Sequence, residues 1–483
     1  MTNRDVLAHR LLQCLCVATR PLRVEELAEV LALDFEADGE TPTLIEGLRS
    51  DNPEGEVQFV CSSLIMIADT GHSTHSRVIQ FSHFSVKQFL TSDRLATSQS
   101  DNSRFHIAPE LAHMTLTQAC LATLLQLNGS SNNDQIERIF PLARYASQHW
   151  VEHAQFGMVS SPSPVEYVRG RGRNADKKVE SSSHRSVMTA PKPLRGINDT
   201  MRRLFDSTGP YFTTWLQLYN IDDHWNQFGN SWVARGSPLY YASLCGFRDL
   251  AEHIIKDHPE QVNAKGGRNY SPLVAALYKG HFHVAELLLQ HGASINATGH
   301  NHQTPLQSAS VDGRSDVASW LLNHGAFVHS RRDDLGAPIH LATVNGHPEA
   351  IQTLLEHGVD IDSADKDGRT PLHLASSTGK AEIVRLLLEL GADPNVVDKN
   401  KWTPLSLTWK TEVERLLLDY GAQDGASLGK EGLNSKKKKK DKKKEKLRTG
   451  KYDSVRMLIQ IFSLLNRRLD CSHVHTSDSF YHD

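Results

Sequence analysis

The sequence predicts a mainly α protein: an N-terminal α domain with a small β-hairpin, followed by an α-solenoid of stacked helix pairs. The solenoid is predicted by six prolines that recur at a regular spacing, here called the motif prolines. A glycine also lies eight residues after each of the first five. The separations are 34 residues once and 33 residues four times. The N-terminal domain is predicted by helical apolar spacing over residues 7–18, 24–35 and 57–67, then a strand over 78–81. The motif prolines are Pro238, Pro272, Pro305, Pro338, Pro371 and Pro404.

Composition narrows the class of protein without naming a function. The 483 residues carry a formal net charge of −3, yet residues 425–483 hold 15 Lys and Arg against 7 Asp and Glu. The rest of the chain is therefore acidic, which argues against a nucleic-acid groove along the solenoid, because phosphate binding needs clustered cations. The 6 cysteines form no CxxC pair and no Cys/His ligand spacing, so we expect neither a disulfide framework nor a zinc site.

No segment predicts secretion or membrane insertion. The apolar run over residues 11–18 is followed by Arg20 without a small-residue cleavage pattern. The run over residues 455–465 is shorter than the roughly 20 residues that span a bilayer. We therefore expect an intracellular, cytoplasmic, monomeric protein with no metal, no cofactor and no membrane contact.

The N-terminal domain is predicted to be helices followed by a β-hairpin wing. Residues 71–76 form the predicted hairpin loop, and residues 85–95 predict a further helix. This order indicates a winged-helix-like fold. Such a fold can bind DNA, but its two central helices hold few cations beyond Arg20 and Arg23, so we do not expect a nucleic-acid partner.

Three stretches of this domain carry a family resemblance: PLRVEELAEVLALDF from Pro21, CSSL from Cys61 and VIQFSHFSVKQFLTSDRL from Val78. They resemble the segment that follows the NACHT nucleotide-binding domain in fungal NACHT-ankyrin proteins of the STAND class of signal-transduction ATPases. YASQHWVEHA from Tyr145 fits, more weakly, the helices that this family places before its repeats. The resemblance implies that His83 lies where a family histidine senses the nucleotide's phosphate.

The printed sequence contains no nucleotide site. A P-loop requires GxxxxGK followed by Ser or Thr, because glycine amides cradle the phosphates and the hydroxyl serves magnesium. The GK pairs are instead followed by Ala381, Glu431 and Tyr452. We therefore expect a relative with the NACHT domain missing, whether a shortened relative, a separately expressed remnant or an incomplete gene model. His83 is then expected to be a wing residue without a ligand.

Each solenoid repeat is predicted to be a helix, a turn, a second helix and a loop. Ser or Thr before the proline supplies an N-cap hydroxyl, and proline at the first helical position loses no hydrogen bond. Glycines such as Gly280 and Gly292 can take the left-handed conformation that ends a helix. One helix pair cannot bury its leucines alone, so the pairs must stack. The expected core positions are Leu287, Leu288, Leu321, Leu322, Leu354, Leu355, Leu387, Leu388 and Leu417.

The motifs SPLYYA, SPLVAA, TPLQSA, APIHLA, TPLHLA and TPLSLT make residues 229–423 resemble the ankyrin repeat. The resemblance implies that His373 bonds the Thr370 hydroxyl and nearby backbone, whereas His340 lacks a hydroxyl partner at Ala337. Both histidines are therefore expected to be structural.

Two departures from the ankyrin pattern stand out. The family commonly has glycine three residues before the proline, and only Gly368 obeys here. Asn269, His302 and Lys401 replace it elsewhere, and Leu335 would be strained at a positive φ. The sixth repeat is three residues shorter, and Glu412 stands where glycine belongs, so this repeat is predicted to be degenerate.

In ankyrin repeats, the loop tips and the exposed end of the first helix form a concave face that binds proteins. Tyr, Trp and Arg most often dominate interface energetics, so the expected anchors are Tyr270, Tyr278, Arg369 and Trp402. For any single position, a solvated surface residue is the alternative. The resemblance implies a protein-binding set of Arg268, Tyr270, Tyr278, Lys279, Val311, Asp312, Val344, Asn345, Lys366, Arg369, Ser377, Thr378 and Trp402.

The C-terminal tail begins with a block of like charge, KKKKKDKKKEK over residues 436–446, which repels itself and is predicted to stay extended. Nuclear targeting and a solvated tail both remain open for this block. The predicted domains are 1–100 winged-helix-like and post-NACHT, 101–156 helical, 157–200 a disordered linker, 201–228 a helical cap, 229–424 six ankyrin repeats, and 425–483 the basic, largely disordered tail.

These observations predict a protein-interaction scaffold that binds a partner protein and has no catalysis of its own. The alternative is the regulatory or sensor portion of a NACHT-type nucleotide switch, in signal transduction or self/non-self recognition. A hydrolase is a third hypothesis, disfavoured because the sequence contains no GxSxG elbow.

Overall fold

The computed structural model describes residues 3–35, 42–45, 49, 51–61, 63–69, 77–97, 103, 105–127, 133–159, 192–219, 221–222, 236–299, 302–328 and 336–423. The chain divides into two compact units, Met1–Val359 (unit 1) and Asp360–Asp483 (unit 2). Most described residues are helical, and small sheets occur near the N-terminus. The predicted mainly α fold is therefore confirmed.

The N-terminal part of unit 1 is a helical domain with a small antiparallel sheet. Strand β5 lies between β1 and β4, with Leu22 and Ile67 both opposite Ile79. The predicted wing is thus the β4–β5 pair, while its loop at residues 71–76 lies outside the described residues. The helices are α1 Asn3–Val17, α2 Val24–Leu31, α3 Pro53–Cys61, α4 Phe84–Leu90 and α5 Asp93–Ala96, and the strands are β1 Leu22–Arg23, β2 Leu33–Asp34, β3 Thr43–Leu44, β4 Ile65–Asp69 and β5 Arg77–Phe81.

Two helices of this domain end earlier than predicted, because the last residues of each predicted helix lie in a strand. The helix predicted over residues 24–35 gives way to β2, where Leu33 pairs with Leu44. The helix predicted over residues 57–67 is α3, and its last three residues belong to β4. A short apolar run fits a strand and a helix equally well in sequence, and here the partner strands decide.

The helix predicted over residues 85–95 is two helices, α4 and α5. The Ser92 hydroxyl accepts the Leu95 N–H at 3.4 Å and so caps a new helix start. His83 caps α4 in the same way: its Nδ1 accepts the Ser85 N–H at 3.2 Å and lies 2.7 Å from that residue's hydroxyl oxygen. His83 therefore has a structural role at the edge of the wing.

A helical segment follows the N-terminal domain. The disordered linker predicted over residues 157–200 includes helical residues at both ends, since one helix ends at Val159 and the next begins at Lys192; residues 160–191 lie outside the described residues. Ile197, Met201 and Leu204 form a buried stripe on α9, which the surrounding charged residues hide in the sequence. The helices are α6 Pro109–Leu124, α7 Asn133–Ile139, α8 Ala143–Val159, α9 Lys192–Leu204 and α10 Pro210–Leu218.

Buried aromatic rings join this segment to the first repeat. The Trp150 ring lies 5.4 Å, centroid to centroid, from both Trp215 and Phe247. The Trp215 Nε1–H donates to the Ser147 carbonyl oxygen at 3.1 Å, which satisfies its polar group inside the core. The helical segment and the first repeat therefore share one hydrophobic core.

The repeats are helix pairs whose first helices begin at the six motif prolines, as predicted. First helices pack on first helices, as α15 on α17, and second helices on second helices, as α16 on α18. Of the expected core leucines, Leu322 and Leu355 are half-buried and the others are buried. In unit 1 the pairs are α11 Pro238–Leu244 and α12 Arg248–Asp257, α13 Pro272–Tyr278 and α14 Phe282–Gln290, α15 Pro305–Val311 and α16 Ser315–Asn323, and α17 Pro338–Asn345 and α18 Pro348–Glu356.

Unit 2 holds the last two repeats among its described residues. Its pairs are α19 Pro371–Thr378 with α20 Ala381–Glu389, and α21 Pro404–Leu407 with α22 Thr411–Asp419. α21 is only 4 residues long, which agrees with the predicted loss of residues from the sixth repeat. α19 packs on α21 and α20 on α22, so unit 2 also has two helical layers.

Candidate protein-interaction surface

Polar side chains at the start of each first helix are used to hold that helix in place. The hydroxyls of Ser271, Thr304 and Thr403 accept backbone N–H groups at 3.4, 3.2 and 3.4 Å. In the fifth repeat, the His373 Nδ1 lies 2.9 Å from the Thr370 hydroxyl oxygen, so the predicted contact between these side chains is confirmed. These groups serve the fold and are directed into it, not towards a ligand.

The loop tips are tight hairpins with a residue in the left-handed region close to the motif proline. That residue is Tyr270 at φ 68°, His302 at φ 58°, Gly368 at φ 77° and Lys401 at φ 63° in four of the tips. In the first tip the positive φ lies at Tyr270, one residue after Asn269, and Gly267 is also left-handed at φ 69°. In the remaining tip, the predicted strain at Leu335 lies outside the described residues, and the adjacent Gly336 has φ 79°.

The tip residues of unit 1 are half-buried and held by their neighbours. The Asp222 carboxylate accepts the Arg268 N–H and, at 2.7 Å, the Tyr240 hydroxyl proton. The Lys265 Nζ lies 5.4 Å from the centre of the Tyr270 ring. Arg268 and Tyr270 are therefore positioned by fixed contacts, with part of each side chain at the surface.

The ends of the first helices in unit 1 place polar and aromatic side chains at the surface. Tyr278 is 37 % exposed, with the Lys279 Nζ 5.7 Å from its ring centre. Arg314 donates from Nη1 to the Tyr278 carbonyl oxygen at 2.9 Å and pairs with Asp316 at 2.8 Å. Tyr278 and Lys279 thus lie together against a charged neighbour, and Asp312 is exposed at the same place in the next repeat.

One predicted site residue does not reach the surface. Val311, the last residue of α15, is only 8 % exposed. Its side chain offers almost nothing for a partner to contact. Val344 and Asn345, the equivalent pair in the fourth repeat, are half-buried, and the Asn345 amide donates to the Leu341 carbonyl oxygen at 2.9 Å.

In unit 2, the predicted site residues differ in how much they expose. Lys366 is exposed, and the half-buried Arg369 pairs with Asp367 at 3.3 Å. Ser377 and Thr378 are half-buried, and both hydroxyls donate back to the last turns of α19, at 3.0 and 2.8 Å. Trp402 is half-buried.

Sequence reasoning missed the most exposed tryptophan of unit 2. Trp409 is 64 % exposed, and its Nε1–H donates to the Ser377 carbonyl oxygen at 3.1 Å. Lys410 donates to the Gly379 carbonyl oxygen at 2.8 Å. Both residues lie where α21 stops early, so the family pattern gave them no first-helix position. The shortened repeat followed by an aromatic and a lysine was the available signal.

The five cysteines among the described residues are free and buried. Burial raises the pKa of the Cys16 and Cys61 thiols to about 11, so neither is a thiolate near neutral pH. Among all the described residues, no cluster of three or more His, Cys, Asp and Glu could hold a metal ion. Within the same part of the chain, no helix is both long and apolar enough to cross a bilayer. The basic block at residues 436–446 lies outside it.

Comparisons with known proteins agree with these two folds. A family model described as "Ankyrin repeats (3 copies)" matches residues 239–332 and 329–398, which confirms the ankyrin repeats. A model described as "GPI inositol-deacylase, winged helix domain" matches residues 1–107, which confirms an N-terminal winged-helix-type domain. Neither description names the NACHT class, so that resemblance stays a prediction.

Two similar proteins set the scale of the likeness. The "Azaphilone pigments biosynthesis cluster protein L" of Monascus ruber is 32 % identical over 295 residues, covering 58 % of this chain and 54 % of its own length. The chain thus spans about half the length of that curated relative. The crystal structure of the human ASB11 ankyrin repeat domain is similar at 34 % identity and a TM-score of 0.34, covering 39 % of this chain and 85 % of that one.

Proposed function

We propose that this chain is a protein-interaction scaffold that binds a partner through the tips and first-helix ends of its ankyrin repeats, with no catalysis of its own. Ankyrin repeats are protein-interaction modules, and the repeat framework here uses its caps and turns internally. What it leaves at the surface is a set of aromatic and charged side chains on a rigid backbone. The exposure of Tyr278 and Lys279 at the end of α13 is the observation that carries the proposal.

Several features support a binding role over a catalytic one. The imidazoles of His340 and His373 are buried and accept backbone N–H groups of their own repeats. Two of the buried thiols have pKa values of about 11. A catalytic base or nucleophile needs access to a substrate, which burial denies to these groups, and a nucleophilic thiol also needs a lower pKa than these two have.

The test is capture of partners by the full chain, with crosslinking, comparing wild type and the variant Tyr278→Ala plus Trp402→Ala. A matched control is Phe327→Ala plus Tyr420→Ala, which removes one aromatic ring from each unit in the segments after the second helices. Truncating an interface aromatic commonly costs about 2 kcal/mol or more, so we expect the first variant to lose specific partners and the control to keep them. Equal recovery by all three proteins would contradict the proposal.

The absence of catalysis is tested separately. We expect the purified full chain to show no turnover in a broad esterase and phosphatase screen. Activity that persists through further purification and disappears in a point variant of one described side chain would overturn this part of the proposal.

The regulatory portion of a NACHT-type nucleotide switch remains the second candidate. The stretch from Val78 to Leu95 supports it, since it forms β5, α4 and α5 with the exposed His83 at the wing edge. Transcripts that extend upstream of the Met1 codon test this idea. An in-frame Walker motif there would support a switch, and a stop codon with no such motif beyond it would remove this candidate.

A further inference from the structure

We propose that unit 2 binds an acidic peptide segment of the partner, with a lysine-rich surface contacting its carboxylates and Trp409 contacting an apolar side chain. This inference rests on the proposed scaffold function and names the chemistry of the partner. The lysine surface of unit 2 is defined as Lys366, Lys380, Lys399, Lys401 and Lys410.

The charged residues of unit 2 are unevenly distributed over its surface. Its described residues, 360–423, hold eight Lys and Arg against eleven Asp and Glu, so the unit as a whole is acidic. Helices α20 and α22 carry five of the acidic residues and two of the basic ones. All five residues of the lysine surface lie instead at the tips or at the turns that follow α19 and α21. A local positive surface on an acidic body is suited to a negatively charged ligand.

The lysine surface has two parts, one at each end of α19. Lys366, Lys399 and Lys401 are exposed at the tips that precede α19 and α21, and the Lys399 Nζ lies against the Lys366 carbonyl oxygen. Lys380 and Lys410 lie beyond the opposite end. α19 has 8 residues and is therefore about 12 Å long, a distance that about four residues of extended peptide can span. A short acidic segment can reach both parts at once.

Lys380 and Lys410 are neighbours of like charge at the end of α19. The Lys410 Nζ donates to the Gly379 carbonyl oxygen at 2.8 Å, which fixes its position. Burial lowers the pKa of Lys380, and the charge of Lys410 lowers it further. A carboxylate bound between the two ammonium groups would offset their repulsion, so this pair is the expected centre of the electrostatic contact.

Trp409 supplies an apolar contact beside these cations. Its ring is held by the Nε1–H bond to Ser377 and has the Lys410 Nζ 5.3 Å from its centre, yet 64 % of the residue remains exposed. A fixed, exposed tryptophan loses little conformational freedom when a partner covers it. The site therefore suits a peptide in which an apolar side chain interrupts acidic residues.

A nucleic acid is the less suitable ligand for this surface. Asp365 and Asp367 flank Lys366 in its tip, and Asp367 already pairs with Arg369. A phosphate backbone carries charge at every step and would meet these carboxylates as well as the lysines. A peptide has fewer charges and can place its carboxylates next to the lysines and away from these aspartates. The experiment below includes an oligonucleotide so that this choice is tested.

The experiment measures fluorescence anisotropy with the full chain and labelled probes near pH 7. The probes are a peptide of about twelve residues made of Glu, Asp and one central Leu, its counterpart with Gln and Asn for Glu and Asp, and an oligothymidine of similar length. We expect the acidic peptide to bind more tightly than both other probes, and its affinity to fall as NaCl rises from about 0.05 M to about 0.5 M.

Variants locate the binding. Lys380→Glu plus Lys410→Glu should weaken the acidic peptide by about tenfold or more, and Lys380→Gln plus Lys410→Gln by less, since glutamine can still donate to Gly379. The matched control, Arg385→Glu plus Arg415→Glu, makes the same charge change on α20 and α22 and should leave binding unchanged. Trp409→Ala should weaken binding of the acidic peptide and leave its salt dependence in place. Circular dichroism verifies that each variant is folded.

The outcomes separate this inference from the scaffold function. If the lysine variants bind the acidic peptide as well as wild type does, or if the oligonucleotide binds more tightly than the peptide, the inference is wrong. In that case the scaffold proposal still holds if the capture of partners depends on Tyr278 and Trp402. If no partner is captured and no probe binds, both proposals fail.

Discussion

The His373 Nε2 lies 3.0 Å from the backbone carbonyl oxygen of Trp402, a residue of the next repeat in unit 2. The Nδ1 of the same ring accepts the Thr370 N–H at 3.1 Å, so the proton of the neutral imidazole is on Nε2, which donates to Trp402. Burial lowers the pKa of His373 and favours this neutral form. One side chain therefore joins the start of α19 to the neighbouring tip.

Replacing this imidazole should weaken the contact between the last two repeats. We expect His373→Leu to lower the free energy of unfolding of unit 2 by about 2 kcal/mol, because it removes the contacts of both ring nitrogens, to Thr370 and to Trp402, and leaves the Thr370 N–H unpaired. Thr370→Val, which keeps the N–H bond and loses only the hydroxyl, should cost less, about 1 kcal/mol. Amide hydrogen exchange in α19 and α21 reports both losses. Equal effects of the two substitutions would argue against the bridging role.

A second prediction compares one position in two tips. His302 and Gly368 both lie three residues before a motif proline, at φ 58° and φ 77°. A side chain is disfavoured in this left-handed region, so His302→Gly should stabilise unit 1 by about 0.5–1 kcal/mol. Gly368→His should destabilise unit 2 by more than that, since a Cβ there would lie 3.0 Å from the Lys399 backbone nitrogen. Thermal unfolding, monitored by hydrogen exchange in each unit, measures both changes in stability. A Gly368→His variant as stable as wild type would contradict the strain argument.

The repeat fold could be predicted from sequence because its signals are local and recur. Each proline, cap and left-handed glycine acts within one repeat, and the regular spacing multiplies the evidence. The N-terminal domain was predicted less well, since whether Leu33 continues a helix or pairs with Leu44 depends on a distant strand. The residues of the candidate interaction surface were only partly predicted, because exposure depends on how each helix packs and where it ends. The family pattern gave Val311 a surface position although it is buried, and it had no position for Trp409, which lies beyond a helix that stops early.

Glu29 provides a prediction about pH in the N-terminal domain. Burial raises its pKa to about 7, while its Oε2 accepts the Leu142 N–H at 2.7 Å. Because the folded state holds this proton more tightly than the unfolded state, Glu29 favours folding at low pH, and this contribution is lost as pH rises from about 4.5 to 7. Glu29→Gln keeps an acceptor for Leu142 and does not titrate.

The Glu29→Gln variant should therefore gain stability relative to wild type as pH rises through this window, by an amount on the order of 2 kcal/mol. Hydrogen exchange of α2 amides, compared between the two proteins at each pH, isolates this change. Glu25→Gln, on the solvent side of the same helix, is the matched control. A constant difference between Glu29→Gln and wild type across pH 5 to 7 would show that Glu29 does not titrate as expected.

A chain of hydrogen bonds leads from α1 through α8 to α6 in unit 1. The Tyr145 hydroxyl oxygen accepts the Thr19 N–H at 3.2 Å and lies 2.8 Å from the His153 Nε2. We assign the tyrosine hydroxyl as donor to Nε2, which places the His153 proton on Nδ1, 2.8 Å from the His113 Nδ1. Each group donates to the next, and an additional proton on His153 would break the order of the chain.

Burial lowers the pKa of His153 to about 4, with the charges of His113 and His149 acting in the same direction and that of Glu152 opposing them. The unfolded side chain has a pKa near 6.5, so unfolding takes up a proton between these values. The contribution of His153 to stability is complete above pH 6.5 and is lost as pH falls towards 4. Glu29 acts in the opposite direction over much of this range, so wild type alone will not show the effect.

Comparison with His153→Gln removes that difficulty. The variant should be less stable than wild type at pH 7, because the hydrogen-bond chain is disturbed. It should recover relative to wild type by an amount on the order of 2 kcal/mol between pH 6.5 and 4.5, since glutamine takes up no proton. Hydrogen exchange in α6 and α8 measures the difference, with His324→Gln in the exposed turn after α16 as the control. If the stability difference between His153→Gln and wild type stays the same at both pH values, His153 is not the group that loses stability in acid.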